Sequence, residues 1–179
     1  MINPAVRVYS EAFFELSKEK NNLDIHKKDL NEVNNILKEY SQLNRILTSP
    51  SIEKEAKKEV FSEVFKDLEK DALNLAFVLI DKSRFSIFED LTREFNKKYN
   101  EEKNIEEGIV YSIKELTESQ MKDLENVLNK KFDKKVELVN KIDESLIGGI
   151  SIELEGKRID NSIKNRLTSL KAHLMKEGE

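Results

Sequence analysis

Ile142-Asp143-Glu144-Ser145-Leu146-Ile147-Gly148-Gly149-Ile150-Ser151-Ile152-Glu153-Leu154-Glu155-Gly156-Lys157-Arg158-Ile159-Asp160-Asn161-Ser162-Ile163-Lys164-Asn165-Arg166-Leu167 is the stretch that decides the fold. Ile150, Ile152 and Leu154 alternate with polar residues, the period of a half-buried strand. Just upstream, Val136, Leu138 and Asn140 alternate with Glu137, Val139 and Lys141 in the same way. Asp143 to Gly149 turns the chain between the two strands, and Glu155-Gly156-Lys157 makes a second tight turn. Asp160 or Ser162 then offers an N-cap to a closing helix carrying Ile163, Leu167, Leu170 and Leu174.

Outward from this stretch, Ile109, Tyr111 and Ile113 read as a short strand. Thr117-Glu118-Ser119-Gln120 is a T-x-x-Q capping box. It opens a helix with Met121, Leu124, Val127 and Leu128 on one face. Residues 106–179 are therefore expected to form a small β-α-β-β-α domain. Asn100 to Glu107 holds no apolar residue except Ile105 and reads as a frayed helix end plus a linker.

Residues 1–105 read as helix after helix, a six-helix bundle, so the chain as a whole is α+β and mainly α. Asn3 caps the first helix and Pro4 occupies its first turn. Ala5, Tyr9, Ala12 and Leu16 form its stripe, with Val6, Val8 and Phe13 beside it. Leu23, His26, Leu30, Val33, Leu37 and Tyr40 give the second helix, and Leu43, Ile46 and Leu47 a short third. Thr48-Ser49-Pro50-Ser51 stops and restarts the chain, because the residue before proline is pushed out of the helical region. Ser51 is placed to cap a fourth helix with Ile52, Ala56, Val60, Phe61, Val64 and Phe65. Ala72 to Lys82 is the fifth, and Arg84 to Tyr99 the sixth, with Phe88, Leu91, Phe95 and Tyr99 inward.

Composition excludes several classes. The chain has 179 residues, 37% of them charged, against about 25% in an average soluble protein. Residues 1–105 carry 18 basic and 20 acidic side chains, and residues 106–179 carry 13 and 15. Neither half is a basic module, which argues against nucleic acid as a partner. There is no cysteine, hence no disulfide and no thiolate chemistry. No apolar run approaches the roughly 20 residues of a membrane span, so direct membrane insertion is not expected. The first residues have neither a signal peptide's apolar core nor a transit peptide's composition.

No catalytic constellation stands out. Gly148-Gly149 lacks the spacing of a phosphate loop and precedes a strand, so tight turning is its reading. His26 and His173 are the only histidines, and neither has a second histidine at metal-ligand spacing. The expectation is no active site, no cofactor and no metal. The fifth helix departs from the ordinary pattern, since Leu73-Asn74-Leu75-Ala76-Phe77-Val78-Leu79-Ile80 is apolar nearly all round. Either the bundle buries it completely, or Leu75 and Val78 wall a groove that an amphipathic helix fills.

Four segments, in order, resemble the δ subunit family of the ATP synthase, the bacterial relatives of the mitochondrial oligomycin-sensitivity-conferring protein. They are Val8 to Leu16, Leu47 to Ile52 with Lys57-Lys58, Phe77 to Arg84, and the closing motif of Ile142 to Ile150 with Arg158 to Leu167. The resemblance implies a non-catalytic stator subunit. Its helical domain would receive N-terminal helices of the α subunits of the catalytic head, and its smaller domain would meet the b subunits of the peripheral stalk. The head would thereby be kept from turning with the rotor. It also implies a peripheral place on the cytoplasmic face of a bacterial cell membrane. For the head-facing surface the candidates are Ala5, Tyr9, Ala12, Leu75 and Val78, the small Ala12 allowing close backbone approach. For the stalk-facing surface they are Arg158, Asp160 and Arg166, which could equally be a cap and ion-pair partners within the fold. A free-standing helical adaptor that binds another protein's amphipathic helix is the alternative.

Overall fold

The computed structural model describes residues 3–154, 156–165 and 167–168. The architecture is mainly helical with a small mixed four-stranded sheet. The chain divides into two compact units, residues 1–99 and 100–179.

The first unit is built from α1 (Pro4–Glu19), α2 (Leu23–Glu39), α3 (Ser41–Thr48), α4 (Lys54–Val64), α5 (Lys70–Asp81), a 3-10 turn (Phe85–Ile87) and α6 (Phe88–Lys103), whose last turn crosses the boundary. Asn3 caps α1 as its sequence suggests, its Oδ1 accepting from the Ala5 amide at 3.0 Å. Asn21 and Ser83 carry positive φ where the chain leaves α1 and α5, a conformation small polar side chains tolerate. The core is aromatic and close-packed. Phe61 meets Phe65 at 4.5 Å and Phe85 at 5.8 Å between ring centroids, and Phe95 meets Phe13 at 5.6 Å and Phe14 at 5.7 Å. Asn96 of α6 donates to Asn31 of α2 at 2.7 Å, a polar tie between two helices.

Two readings of this unit need correction. The buried face of α1 is Val6, Ser10, Phe13, Phe14 and Ser17, not the stripe of Ala5, Tyr9, Ala12 and Leu16. Ser10 and Ser17 disguise the inner face. Each hydroxyl donates back to its own helix, to Arg7 O at 3.1 Å and Phe13 O at 2.6 Å, so burial leaves no unpaired donor. Ser51 does not cap α4, which starts at Lys54 behind Glu53. The Ser51 amide instead donates to Ser49 Oγ at 3.3 Å and closes the turn around Pro50.

In the second unit, β1 (Ile105–Ser112), α7 (Glu118–Phe132), β2 (Lys135–Ile142), β3 (Ile150–Leu154) and β4 (Lys157–Asp160) form a sheet of order β2-β1-β3-β4. β1 and β2 are parallel, in register from Ile105 opposite Lys135 to Ser112 opposite Ile142. Parallel strands need a crossover, and α7 supplies it. Thr117 and Gln120 form the capping box, each side chain meeting the other's backbone. α7 packs Leu128 onto Val110, Val136, Leu138, Ile152 and Leu154. Gly108 lies at the centre, where an added Cβ would stand 2.7 Å from Leu154 Cδ1 and 2.9 Å from Leu138 Cδ2.

The sheet corrects the topology. Lys157–Asp160 is a fourth strand, antiparallel to β3, where the sequence suggests only a turn and a cap. With Ile159 as its single apolar residue it shows no alternation, and the Gly156 turn (φ +71°) folds it back. β1 begins at Ile105, so residues 105–107 are strand rather than linker. Ile105 is buried, and Glu106 and Glu107 pair with Val136 and Glu137 through their backbones. The closing helix appears at residues 163–165 and 167–168. Leu170, His173 and Leu174 lie outside the described residues.

Candidate functional site

The α1 stripe that does not enter the core lines a groove instead. Tyr9, Ala12, Phe13 and Leu16 of α1 face Asp71, Asn74, Leu75 and Val78 of α5 across a space of about 270 Å³. The walls are apolar, with Asp71 and Asn74 the polar members. Leu75 is buried, whereas Val78 is 43% exposed. Tyr9 is steadied by Arg84, whose guanidinium lies 6.0 Å from its ring centroid and donates to its hydroxyl at 3.5 Å. Of the five residues assigned to a head-facing surface, Tyr9, Ala12, Leu75 and Val78 line this groove. Ala5 does not, being half-buried one turn earlier on α1. Leu16, Phe13, Asn74 and Asp71 complete it. Leu16 belongs to the same i, i+3, i+7 row as Tyr9 and Ala12 and could have been read from it.

Beneath the Asp71 end lies a polar cluster that the sequence does not announce. Glu69 caps α5, its Oε2 accepting from the Asp71 amide at 2.6 Å. The same oxygen stands 3.0 Å from His26 Nε2, and Glu69's own amide donates to Asp29 Oδ2 at 2.8 Å. His26 is fully buried, and its Nδ1 is 2.7 Å from Ser17 Oγ. Lys20, at the end of α1, holds the Asp71 carboxylate at 2.5 Å. Burial alone would raise the Glu69 pKa, but the Asp71 amide and His26 outweigh it and hold the carboxyl below its ordinary value. The Lys20 ammonium is raised, chiefly by its hydrogen bond to Asp71. Among the described residues, His26, Glu69 and Asp71 are the one trio whose ligand atoms could converge on a metal, all lying within 4.8 Å of one another. Each already has a proton donor or an acceptor, and the Asp71 carboxylate is paired with the Lys20 ammonium, so the geometry favours an internal network over an ion.

The second unit has a polar cavity of about 460 Å³ at the decisive motif. Asp143, Ser145, Arg158, Asp160, Lys164 and Asn165 are among its walls. Asp143 and Asp160 are locked in matching turns, accepting from the Ser145 and Ser162 amides at 2.9 Å each. The hydroxyls of those serines, then their amides, hold both carboxyls below the ordinary range. Arg158 donates from Nε to Ser151 Oγ at 2.7 Å and lies 5.6 Å from the Tyr111 ring centroid. Arg158 and Asp160, assigned to a stalk-facing surface, thus share one cavity. Arg166 lies outside the described residues. Among the described residues, no helix is long and apolar enough to cross a membrane.

Comparison with known proteins gives consistent matches along the chain. The family profile described as ATP synthase delta (OSCP) subunit matches residues 5–174. The ATP synthase subunit delta of Bacillus mycoides (strain KBAB4) is 32% identical over 169 residues, 94% of each chain. That of Bacillus anthracis (strain A0248) is also 32% identical over 169 residues, with the same coverage. Among solved structures, a chain of the Toxoplasma gondii mitochondrial ATP synthase hexamer superposes with a TM-score of 0.72 at 21% identity. The match covers 97% of this chain and 98% of that one, and shows a shared fold.

Proposed function

This chain belongs to the ATP synthase delta (OSCP) subunit family, and on that premise we propose that it is a peripheral-stalk subunit that holds the catalytic head still while the rotor turns. The observation that carries the reading is the α1/α5 groove. Its apolar walls and helical length suit an amphipathic helix laid between two others. Its proposed occupants are N-terminal helices of the head's α subunits, seated against Tyr9, Ala12, Leu75 and Val78, with Ala5 at the groove's end.

The second unit is the proposed partner of the b subunits. Arg158 and Asp160, with Arg166 beyond them, are the proposed contacts. Two carboxylates held ionised and two cations in one cavity suit a polar chain end better than an apolar helix. The proposed division of labour follows the sequence, with residues 1–105 toward the head and 106–179 toward the stalk. A stator needs slow dissociation rather than chemistry, and the proposed role assigns no catalytic residue to the chain. Its proposed place is peripheral, on the cytoplasmic face of a bacterial membrane, held there through partners.

The test is calorimetric titration of the full chain with a synthetic peptide of the α subunit's N-terminal segment, beside Val78→Asp. The expected result is one-to-one binding, weakened at least about tenfold in a variant with unchanged helical circular dichroism. No binding to the folded chain would shift the reading to a free-standing adaptor for another amphipathic helix.

A further inference from the structure

The polar cavity of the second unit holds two carboxylates and two cations, and they differ in what they have left to offer. Asp143 and Asp160 are spent. Each accepts from a backbone amide, of Ser145 and Ser162, and from the hydroxyl of the same serine. The cations are not spent. Arg158 gives Nε to Ser151 Oγ at 2.7 Å, and among the described residues nothing accepts from its Nη1 or Nη2. Lys164 likewise has no acceptor for its ammonium among them. Both cations act on Asp143 and Asp160 through space, yet among the described residues neither closes an ion pair with either. Glu153, opposite Arg158 on β3, accepts from the Tyr111 hydroxyl at 3.2 Å instead. Arg158 is also held in place. Ser151 is fully buried, and the guanidinium lies 5.6 Å from the Tyr111 ring centroid. A guanidinium fixed at Nε and against a ring presents its outer N–H groups as a preset fork. That shape meets a carboxylate with two parallel hydrogen bonds.

We propose that this cavity captures the free α-carboxylate of a partner chain's last residue between Arg158 and Lys164, and that the chain is a b subunit of the peripheral stalk. The inference rests on the stalk reading above for the identity of the chain, and adds the group that is recognised. The balance of charge selects that group. Two cations against two spent carboxylates leave the walls neutral, which suits a single negative charge and disfavours a phosphate dianion. A helix that ends in the cavity brings more than its carboxylate. Its last four carbonyls lack partners within the helix. Its dipole is negative at that end, so its terminal charge is unfavourable until cations face it. A helix passing over the cavity has its carbonyls paired and brings no terminal charge.

The experiment is calorimetric titration of the full chain with a synthetic peptide of the b subunit's C-terminal segment, made once as the free acid and once as the terminal amide. The amide removes the charge and keeps the rest of the peptide. The expected result is one-to-one binding of the acid and at least about tenfold weaker binding of the amide. Lys164→Gln, at an exposed side chain, should narrow that difference, whereas Lys122→Gln, exposed on α7, should leave it unchanged. In NMR spectra the Ser145 and Ser162 amides should shift with the acid and less with the amide. Equal affinity of the two forms overturns the carboxylate and leaves the stalk reading standing. A difference that survives Lys164→Gln, or that Lys122→Gln narrows as much, overturns its place in this cavity. Displacement of the acid by an equal concentration of inorganic phosphate overturns the choice of a carboxylate. If neither form binds the folded chain, the b subunit is lost as the partner and the inference falls with it.

Discussion

Gly149 has a φ of +79°, and a Cβ there would lie 2.6 Å from the Asn161 carbonyl oxygen. Both facts penalise any side chain. Gly149→Ala should cost about 1–3 kcal/mol, read as a lowered urea midpoint at constant slope. The glycine pair was legible as a turn because no phosphate-loop spacing surrounds it. What it packs against was not, since residues 161–163 lie a whole hairpin away. Glu69 gives a second residue-level expectation. Its carboxyl is depressed in the folded chain, so its contribution is complete above the ordinary carboxylate pKa and fades as pH falls through the lower folded value. Glu69→Gln should therefore lose less stability than the unaltered chain between pH 6 and pH 3, measured by urea unfolding at each pH. His26 could be read from its sequence only as a helix-face residue. Its partners Ser17 and Glu69 sit 9 and 43 positions away, and nothing in either segment marks them as a pair.

At the scale of elements, the Thr117 capping box was readable to the residue, because both partners lie within one turn. Thr117→Ala should cost about 1 kcal/mol, measured as a shift in the same unfolding midpoint. β4 was not readable, because a four-residue strand with one apolar side chain owes its form to its neighbour β3 rather than to its own pattern. α1 shows the opposite error. Its most apolar-looking row lines the groove, while two serines conceal the row that enters the core. β2 stands at the edge of the sheet, and its Val136 and Leu138 amides donate to Asn129 and Glu125 of α7 at 2.6 and 2.9 Å. Those side chains occupy donors that another strand could otherwise use. Replacing both Asn129 and Glu125 by Ala should increase self-association over the unaltered chain at equal concentration, measured by sedimentation velocity.

For the molecule as a whole, binding and stability should come apart on α5. Val78 is 43% exposed and Leu79 fully buried, one residue on. Val78→Asp should leave the thermal midpoint within a few degrees of the parent, whereas Leu79→Ala should cost about 2–5 kcal/mol, both by thermal unfolding. The overall α+β class was legible because the change from helical to alternating period near residue 105 is sharp. The sheet order was not, since pairing partners are fixed by space rather than by neighbouring sequence. That order also sets a timetable for synthesis. β1 is the first strand made, bonded on one side by β2 and on the other by β3. Its antiparallel partner ends at Leu154, 42 residues after Ser112. At ribosomal speeds of 5–20 residues per second, β1 waits roughly 2–8 s for that partner. The unit ending at Tyr99 has no such wait, since all its helices precede β1. A nascent chain of this protein thus carries a finished helical half while β1 still lacks its antiparallel partner, and those seconds are when a holding chaperone would have something to hold.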